Sequence, residues 1–109
     1  MHELGIAMRV IDLAVESSAG GRVSRIVLEV GKLATVLPDA LRFCFAAAAE
    51  GTAAEGAQLD IVEVPGMARC RACAGSVELS RPFGRCSCGS SDLEWLSGEE
   101  LRIREMEVV

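Results

Sequence analysis

The sequence predicts an α+β protein, a small two-helix, three-stranded sheet domain with a cysteine-built module inserted before its last strand. Three observations lead there. Apolar residues recur at three- and four-residue intervals in two segments, and they alternate with polar residues in three others. Between the second and third alternating segments stand two close cysteine pairs, Cys70-Arg-Ala-Cys73 and Cys86-Ser-Cys88. That spacing suits one tetrahedral metal ion, so the inserted segment reads as a zinc-ribbon domain.

Residues 4–18 place Leu4, Ala7, Met8, Ile11, Ala14 and Val15 on one face of a helix, with Arg9, Asp12 and Glu16 turned away. Gly20-Gly21 ends it, because glycine readily takes the left-handed conformation that closes a helix. In 22–30, Ser24, Ile26, Leu28 and Val30 alternate with Arg25, Val27 and Glu29, which predicts a strand closed by Gly31. Leu33, Val36 and Leu37 fall in a loop. Pro38-Asp39 suits a first helical turn, where a missing N–H does no harm, and Leu41, Cys44, Phe45 and Ala48 stripe a second helix to about Glu50. Gly51 and Gly56 bracket the turn into a second strand at 58–64, with Leu59 and Ile61 on one face, and Pro65-Gly66 marks a boundary. After the cysteines, Leu101 and Ile103 hold one alternating phase and Met106 and Val108 the other, which predicts a strand with a bulge near Glu105. That strand needs partners, and those at 22–30 and 58–64 are available. The predicted domains are therefore 1–66 plus 98–109, and an inserted 67–97.

Four thiolates suit zinc, a borderline-soft ion without redox chemistry, and a four-cysteine site leaves no position open for substrate or water. The expected role is a structural staple. A pair of disulfides and a redox dithiol are the competing readings. Nothing like a signal peptide precedes the first helix, so a reducing, cytoplasmic compartment is expected and disulfides are disfavoured. The second pair is one residue shorter than the usual Cys-x-x-Cys. Residues i and i+2 of an extended chain point the same way, so both sulfurs reach one ion without the turn that normally aims them, and a workable but strained site is expected. Cys44, in the second helix, is expected to be a small buried apolar residue.

Half of the 109 residues are hydrophobic, yet no apolar run approaches the roughly 18 needed to cross a bilayer, so a soluble protein with no membrane partner is expected. A net charge of -5 argues against nucleic acid, whose phosphates need a basic field. The charge is uneven: Arg69, Arg71, Arg81 and Arg85 stand against Glu78, Asp92 and Glu94 in the cysteine region. Those arginines read as a solvated face or a protein-docking patch. With a single histidine, no glycine-rich phosphate loop and no open catalytic metal site, the sequence does not read as an enzyme.

The amino terminus, Met1-His2-Glu3, holds an α-amine, an amide nitrogen, an imidazole and a carboxylate within three residues. Nitrogen and oxygen donors of this kind suit nickel(II) or copper(II) and leave coordination positions open. The alternative is an exposed histidine ahead of a helix, with Glu3 favouring the positive helix end.

Four stretches together resemble the HypA/HybF family of hydrogenase nickel-incorporation proteins over essentially the whole chain. They are Met1-His2-Glu3-Leu4, Leu28-Glu-Val-Gly-Lys-Leu33, Leu41-Arg-Phe-Cys-Phe45 followed by Gly51-Thr-Ala-Ala-Glu-Gly56-Ala, and the cysteine segment ending Cys88-Gly-Ser-Ser-Asp92. The resemblance implies a cytoplasmic nickel metallochaperone of hydrogenase maturation, with nickel(II) as transient cargo bound by Met1, His2 and Glu3. It implies structural zinc on Cys70, Cys73, Cys86 and Cys88 in a domain inserted before the final strand. The partners implied are a nickel-delivering maturation GTPase and the NiFe-hydrogenase large subunit, for a monomer or weak homodimer. The other reading is a zinc-ribbon adaptor between proteins, without nickel transfer, in which His2 is incidental.

Overall fold

A computed structural model describes residues 2–109. The described residues form helix α1 (Glu3–Ser17), strand β1 (Val23–Gly31), a turn of 3-10 helix (Lys32–Ala34), helix α2 (Pro38–Ala49), and strands β2 (Gln58–Val64), β3 (Gly66–Cys70), β4 (Ser76–Leu79), β5 (Leu93–Ser97) and β6 (Leu101–Val108). They make two three-stranded sheets, ordered β2-β1-β6 and β4-β3-β5. The chain divides into two compact units. The first comprises the residues up to Glu29, Val36–Val62 and Arg102–Val109; the second comprises Val30–Thr35 and Glu63–Leu101.

In the first unit α1 packs against α2. Its buried residues are Glu3, Ala7, Val10, Ile11 and Ala14, whereas Leu4 and Met8 are about half exposed, at 48% and 52%. The buried stripe is thus rotated from the one the apolar pattern predicts. The reason lies in the first turn, where the Glu3 carboxylate is drawn inward to accept a hydrogen bond from the Leu37 N–H at 3.1 Å. That polar contact phases the helix so that residues 3, 7, 10 and 14 share the inner face. On α2, Leu41, Phe45 and Ala49 are buried one turn apart. Cys44 is half-buried at the edge of that stripe.

β1 is the central strand of its sheet, and on it Ile26, Val27 and Leu28 are all buried instead of alternating. Arg25 ties the sheet across: its Nε donates to Asp60 Oδ2 at 2.7 Å on β2, and its Nη1 to Glu107 Oε2 at 3.1 Å on β6. Gln58 Nε2 donates to the other Asp60 oxygen at 2.8 Å. Glu29 accepts from Arg102 on β6. β6 is one unbroken strand; its half-buried residues, Ile103 and Met106, are three apart, so the phase of exposure changes near Glu105 as the sequence pattern does.

The second unit is built on β3, which pairs antiparallel with β4 (Ala68 opposite Val77) and β5 (Ala68 opposite Trp95), with an irregularity between Met67 and Ala68. Its small core holds Leu33, Ala68 and Leu79, with Val77, Leu93 and Trp95 packed on them. Leu33 lies in a segment that the sequence places with the other domain. It belongs here because its N–H donates to the Gly98 carbonyl at 2.7 Å and its side chain fills the space beside Gly66 and Gly98. A Cβ on Gly31 would overlap the Gly98 carbonyl, so these backbones meet because residue 31 is glycine.

Candidate metal centre and amino terminus

β3 delivers Cys70 at its end, and the chain then turns back on itself. The Ala74 N–H donates to the Cys70 carbonyl at 2.8 Å, the Cys70 N–H to the Gly75 carbonyl at 2.9 Å, and the Gly75 N–H points at Cys73 Sγ at 3.4 Å. Ala74 holds the left-handed conformation, φ 62°, that glycine commonly fills at such a turn. The second pair sits in the loop before β5, where the Gly89 N–H donates to the Cys86 carbonyl at 2.9 Å and the Cys86 N–H to the Ser90 carbonyl at 2.9 Å. Gly89 supplies the positive φ, 96°. This corrects the expectation that Cys86-Ser-Cys88 lacks an aiming turn. A tight hydrogen-bonded turn over 86–89 does the aiming, and its left-handed position falls on a glycine, where it carries no strain.

The four sulfurs all lie within 4.8 Å of one another. Cys70 and Cys88 are 3.7 Å apart, Cys73 and Cys86 3.6 Å. Bonds of about 2.3 Å to a central zinc give a tetrahedron with edges of about 3.8 Å, so the cluster fits that ion. All four are free thiols at separations far beyond the roughly 2.05 Å of a disulfide, which removes the disulfide reading for this conformation. Cys70 and Cys86 are buried and Cys73 and Cys88 exposed, so the site is closed inward and open to entry from solvent.

Backbone donors set the acidity of the cluster. The Cys73 N–H, helped by the Ala72 N–H, draws the Cys70 thiol down to about 6. The Cys88 N–H, with the Cys73 thiol, lowers Cys86. For Cys73 the Gly75 N–H favours the thiolate, but the three neighbouring sulfurs outweigh it and push the thiol up to about 11. Cys88 is raised in the same way, by Cys70 and Cys86 against the Ser90 N–H. Four adjacent sulfurs cannot all be anionic without a cation among them, so the arrangement suits a thiolate-binding metal ion.

At the amino terminus His2 is exposed and forms the N-cap of α1, its carbonyl accepting from the Ile6 N–H at 3.0 Å. Glu3 is 4% exposed. Leu37, whose N–H it accepts, is the N-cap of α2, so the carboxylate lies at the positive end of that helix. The Leu37 N–H first, and the Glu3 N–H second, hold this carboxyl below its ordinary value. The sequence reading missed this role; the signal was Pro38, which marks where α2 begins and so where an anion is welcome. Met1, the remaining residue of the expected nickel set, lies outside the described residues. Among the described residues, the four cysteines are the one cluster of three or more metal-binding side chains.

Of the four arginines, Arg71 pairs with Asp92 at 3.0 Å and Arg85 donates to the Gly89 carbonyl at 3.0 Å. Between Arg81 and Arg85 stands Phe83, which the sequence reading passed over. It is 93% exposed and its backbone is left-handed, φ 66°.

A profile of the family described as hydrogenase/urease nickel incorporation, metallochaperone, hypA, matches residues 1–108. The chain is 48% identical over 108 residues to the hydrogenase maturation factor HypA of Nostoc punctiforme, spanning 99% of this chain and 96% of that protein. It is 45% identical over 112 residues to the hydrogenase maturation factor HypA 2 of Bradyrhizobium diazoefficiens, spanning 99% of each. The solution structure of the Ni metallochaperone HypA from Helicobacter pylori matches with a TM-score of 0.71 over 100% of this chain and 98% of that one, at 23% identity, which establishes a shared fold.

Proposed function

Because the chain belongs to the HypA family of hydrogenase/urease nickel-incorporation metallochaperones, we propose that it captures nickel(II) at Met1, His2 and Glu3 and passes it to a NiFe-hydrogenase large subunit during maturation. On this reading a maturation GTPase supplies the nickel, the exchange takes place in the cytoplasm, and the chaperone works as a monomer or weak dimer. The observation that carries the reading is His2, the chain's single histidine, exposed at the first turn of α1.

A carrier has to release what it captures. The N-terminal end of α1 disfavours a cation, and the neighbouring Glu3 offsets this only in part. The Glu3 carboxylate is already engaged by the Leu37 N–H, so a metal that draws on it competes with a hydrogen bond. Both effects weaken the site, as delivery requires.

Cys70, Cys73, Cys86 and Cys88 would hold zinc, whose full coordination leaves no position for chemistry. These residues clamp the turn after β3 to the loop before β5 and thereby fix the surface of the second unit.

Metal analysis followed by nickel titration tests the reading, comparing the intact protein with His2→Ala. The expected outcome is a single tightly held zinc in both, and a weaker nickel in the intact protein alone. Equal nickel binding by the two forms would favour an adaptor in which His2 is incidental.

A further inference from the structure

The segment between β4 and β5 has three properties that its metal-holding role does not explain. Phe83 is 93% exposed, the most exposed of the large hydrophobic side chains in the described residues. Its φ of 66° is unfavourable for a bulky residue, and such strain persists where the surrounding structure imposes it. Finally, from Ser80 to Ser91 the only charged residues are Arg81 and Arg85, one on each side of Phe83, in a chain whose net charge is -5.

The loop is also held firmly. Leu79 enters it from the buried core of the second unit. Gly84 packs against the Leu79 side chain, whose terminal methyl would have to move to admit a Cβ. Cys86 belongs to the sulfur cluster. Phe83 stands between these fixed points, with its ring 6.4 Å from that of Trp95 in an edge-on arrangement. An aromatic side chain presented on a pinned loop loses little entropy on binding, and aromatic and arginine side chains are the commonest hot spots of protein interfaces.

We propose that the Ser80–Arg85 loop is a docking anchor for the protein that receives the metal. Phe83 enters an apolar pocket of that protein, and Arg81 and Arg85 pair with carboxylates at the pocket rim. The proposal rests on the reading that this chain delivers nickel to a protein recipient. Charge complementarity selects an acidic protein surface. Nucleic acid fits less well, because Glu78, Asp92 and Glu94 lie in the same unit and would repel phosphates.

The test uses the full-length, zinc-loaded chain and the purified nickel-free large subunit of a cognate hydrogenase, with affinity measured by biolayer interferometry. Phe83→Gly removes the ring and relieves the backbone, and the double variant Arg81→Glu with Arg85→Glu reverses the charge. Each should weaken binding about tenfold or more. Zinc content and nickel uptake should stay unchanged, and the salt dependence of binding should flatten in the charge variant. If the native chain binds the subunit and both variants bind it equally well, the docking proposal falls while delivery stands. If the native chain does not bind the subunit, the delivery reading fails and the proposal with it. Binding of a labelled single-stranded oligonucleotide by the native chain, abolished in both variants, would instead assign the loop to nucleic acid.

Discussion

Stripping the metal from the four-cysteine cluster, or replacing Cys73 with serine, should unfold the second unit and leave the first one folded. Without metal the second unit rests on Leu33, Ala68 and Leu79, with Val77, Leu93 and Trp95 only partly covered. Fully burying a leucine contributes about 1.5–3 kcal/mol, so Leu33 and Leu79 together supply roughly 3–6 kcal/mol. Structural zinc contributes about 10–16 kcal/mol in small zinc-dependent folds. Metal binding therefore outweighs the two leucines by a factor of about two or more, and the apolar core alone is too small to hold the strands. Trp95 reports the outcome directly, because it is the only tryptophan in the chain and sits half-buried against that core. Chelation should shift its emission to the red and expose it to a soluble quencher. Hydrogen exchange should show β3, β4 and β5 losing protection while α1, α2 and β1 keep theirs. If the amides of β3 and β5 stay protected in the metal-free protein, the cluster is not the staple of this unit, and its core is stronger than the buried residues account for.

Leu33→Ala should destabilise the second unit by about 2–5 kcal/mol, read from the Trp95 emission in a denaturant titration of the zinc-loaded protein. A loss confined to the helical signal of the first unit would return residues 30–35 to the domain in which the sequence placed them. Glu3→Gln should change how stability depends on pH. The folded carboxyl of Glu3 is held below its ordinary value of 4.5, so its charge stabilises the fold fully above that pH, and the contribution is lost as pH falls through the lowered value. Thermal melts of the helical signal from about pH 7 to about pH 2.5 should therefore show native and variant proteins converging at the acid end. A constant gap across the range would mean that the carboxylate charge does not stabilise the contact with Leu37.

Most of the fold was legible because its elements are patterned by burial. Ile26, Leu28 and Val30 on β1, and Leu41 and Phe45 on α2, fall where period and breaker residues place them. The four-cysteine site was legible for a different reason: thiolates at short spacing have few other uses. What escaped was set by single polar or steric contacts that no periodicity carries. On α1 one inward position is a carboxylate, Glu3, which accepts from the Leu37 N–H, while Leu4 and Met8, apolar as they are, remain outside. The allegiance of Leu33 is fixed by the space beside Gly66 and Gly98, both distant from it in the chain. The turn at Cys86–Gly89 depends on a glycine whose positive φ could be guessed from the residue type but not from the cysteine spacing.

If the chain carries an amino-terminal nickel site beside its thiolates, as proposed, the question is why nickel bound for delivery would not be trapped by the thiolates. On the proposed reading the answer is in the donors and their geometry. Cys70, Cys73, Cys86 and Cys88 form a compact cluster whose sulfurs all lie within 4.8 Å of one another, which fits a tetrahedral ion. Zinc has no geometric preference of its own and takes a tetrahedral shape freely, whereas nickel(II) favours square-planar or octahedral surroundings and would require the four sulfurs to rearrange. The two turns that carry them are each closed by backbone hydrogen bonds, at Ala74 to Cys70 and at Gly89 to Cys86, so the rearrangement is resisted. On the same reading the amino-terminal set imposes no such shape, since His2 is exposed. On that reading, zinc held in the cluster would keep the thiolates closed to nickel and leave the cargo at the amino-terminal donors, from which a recipient could take it.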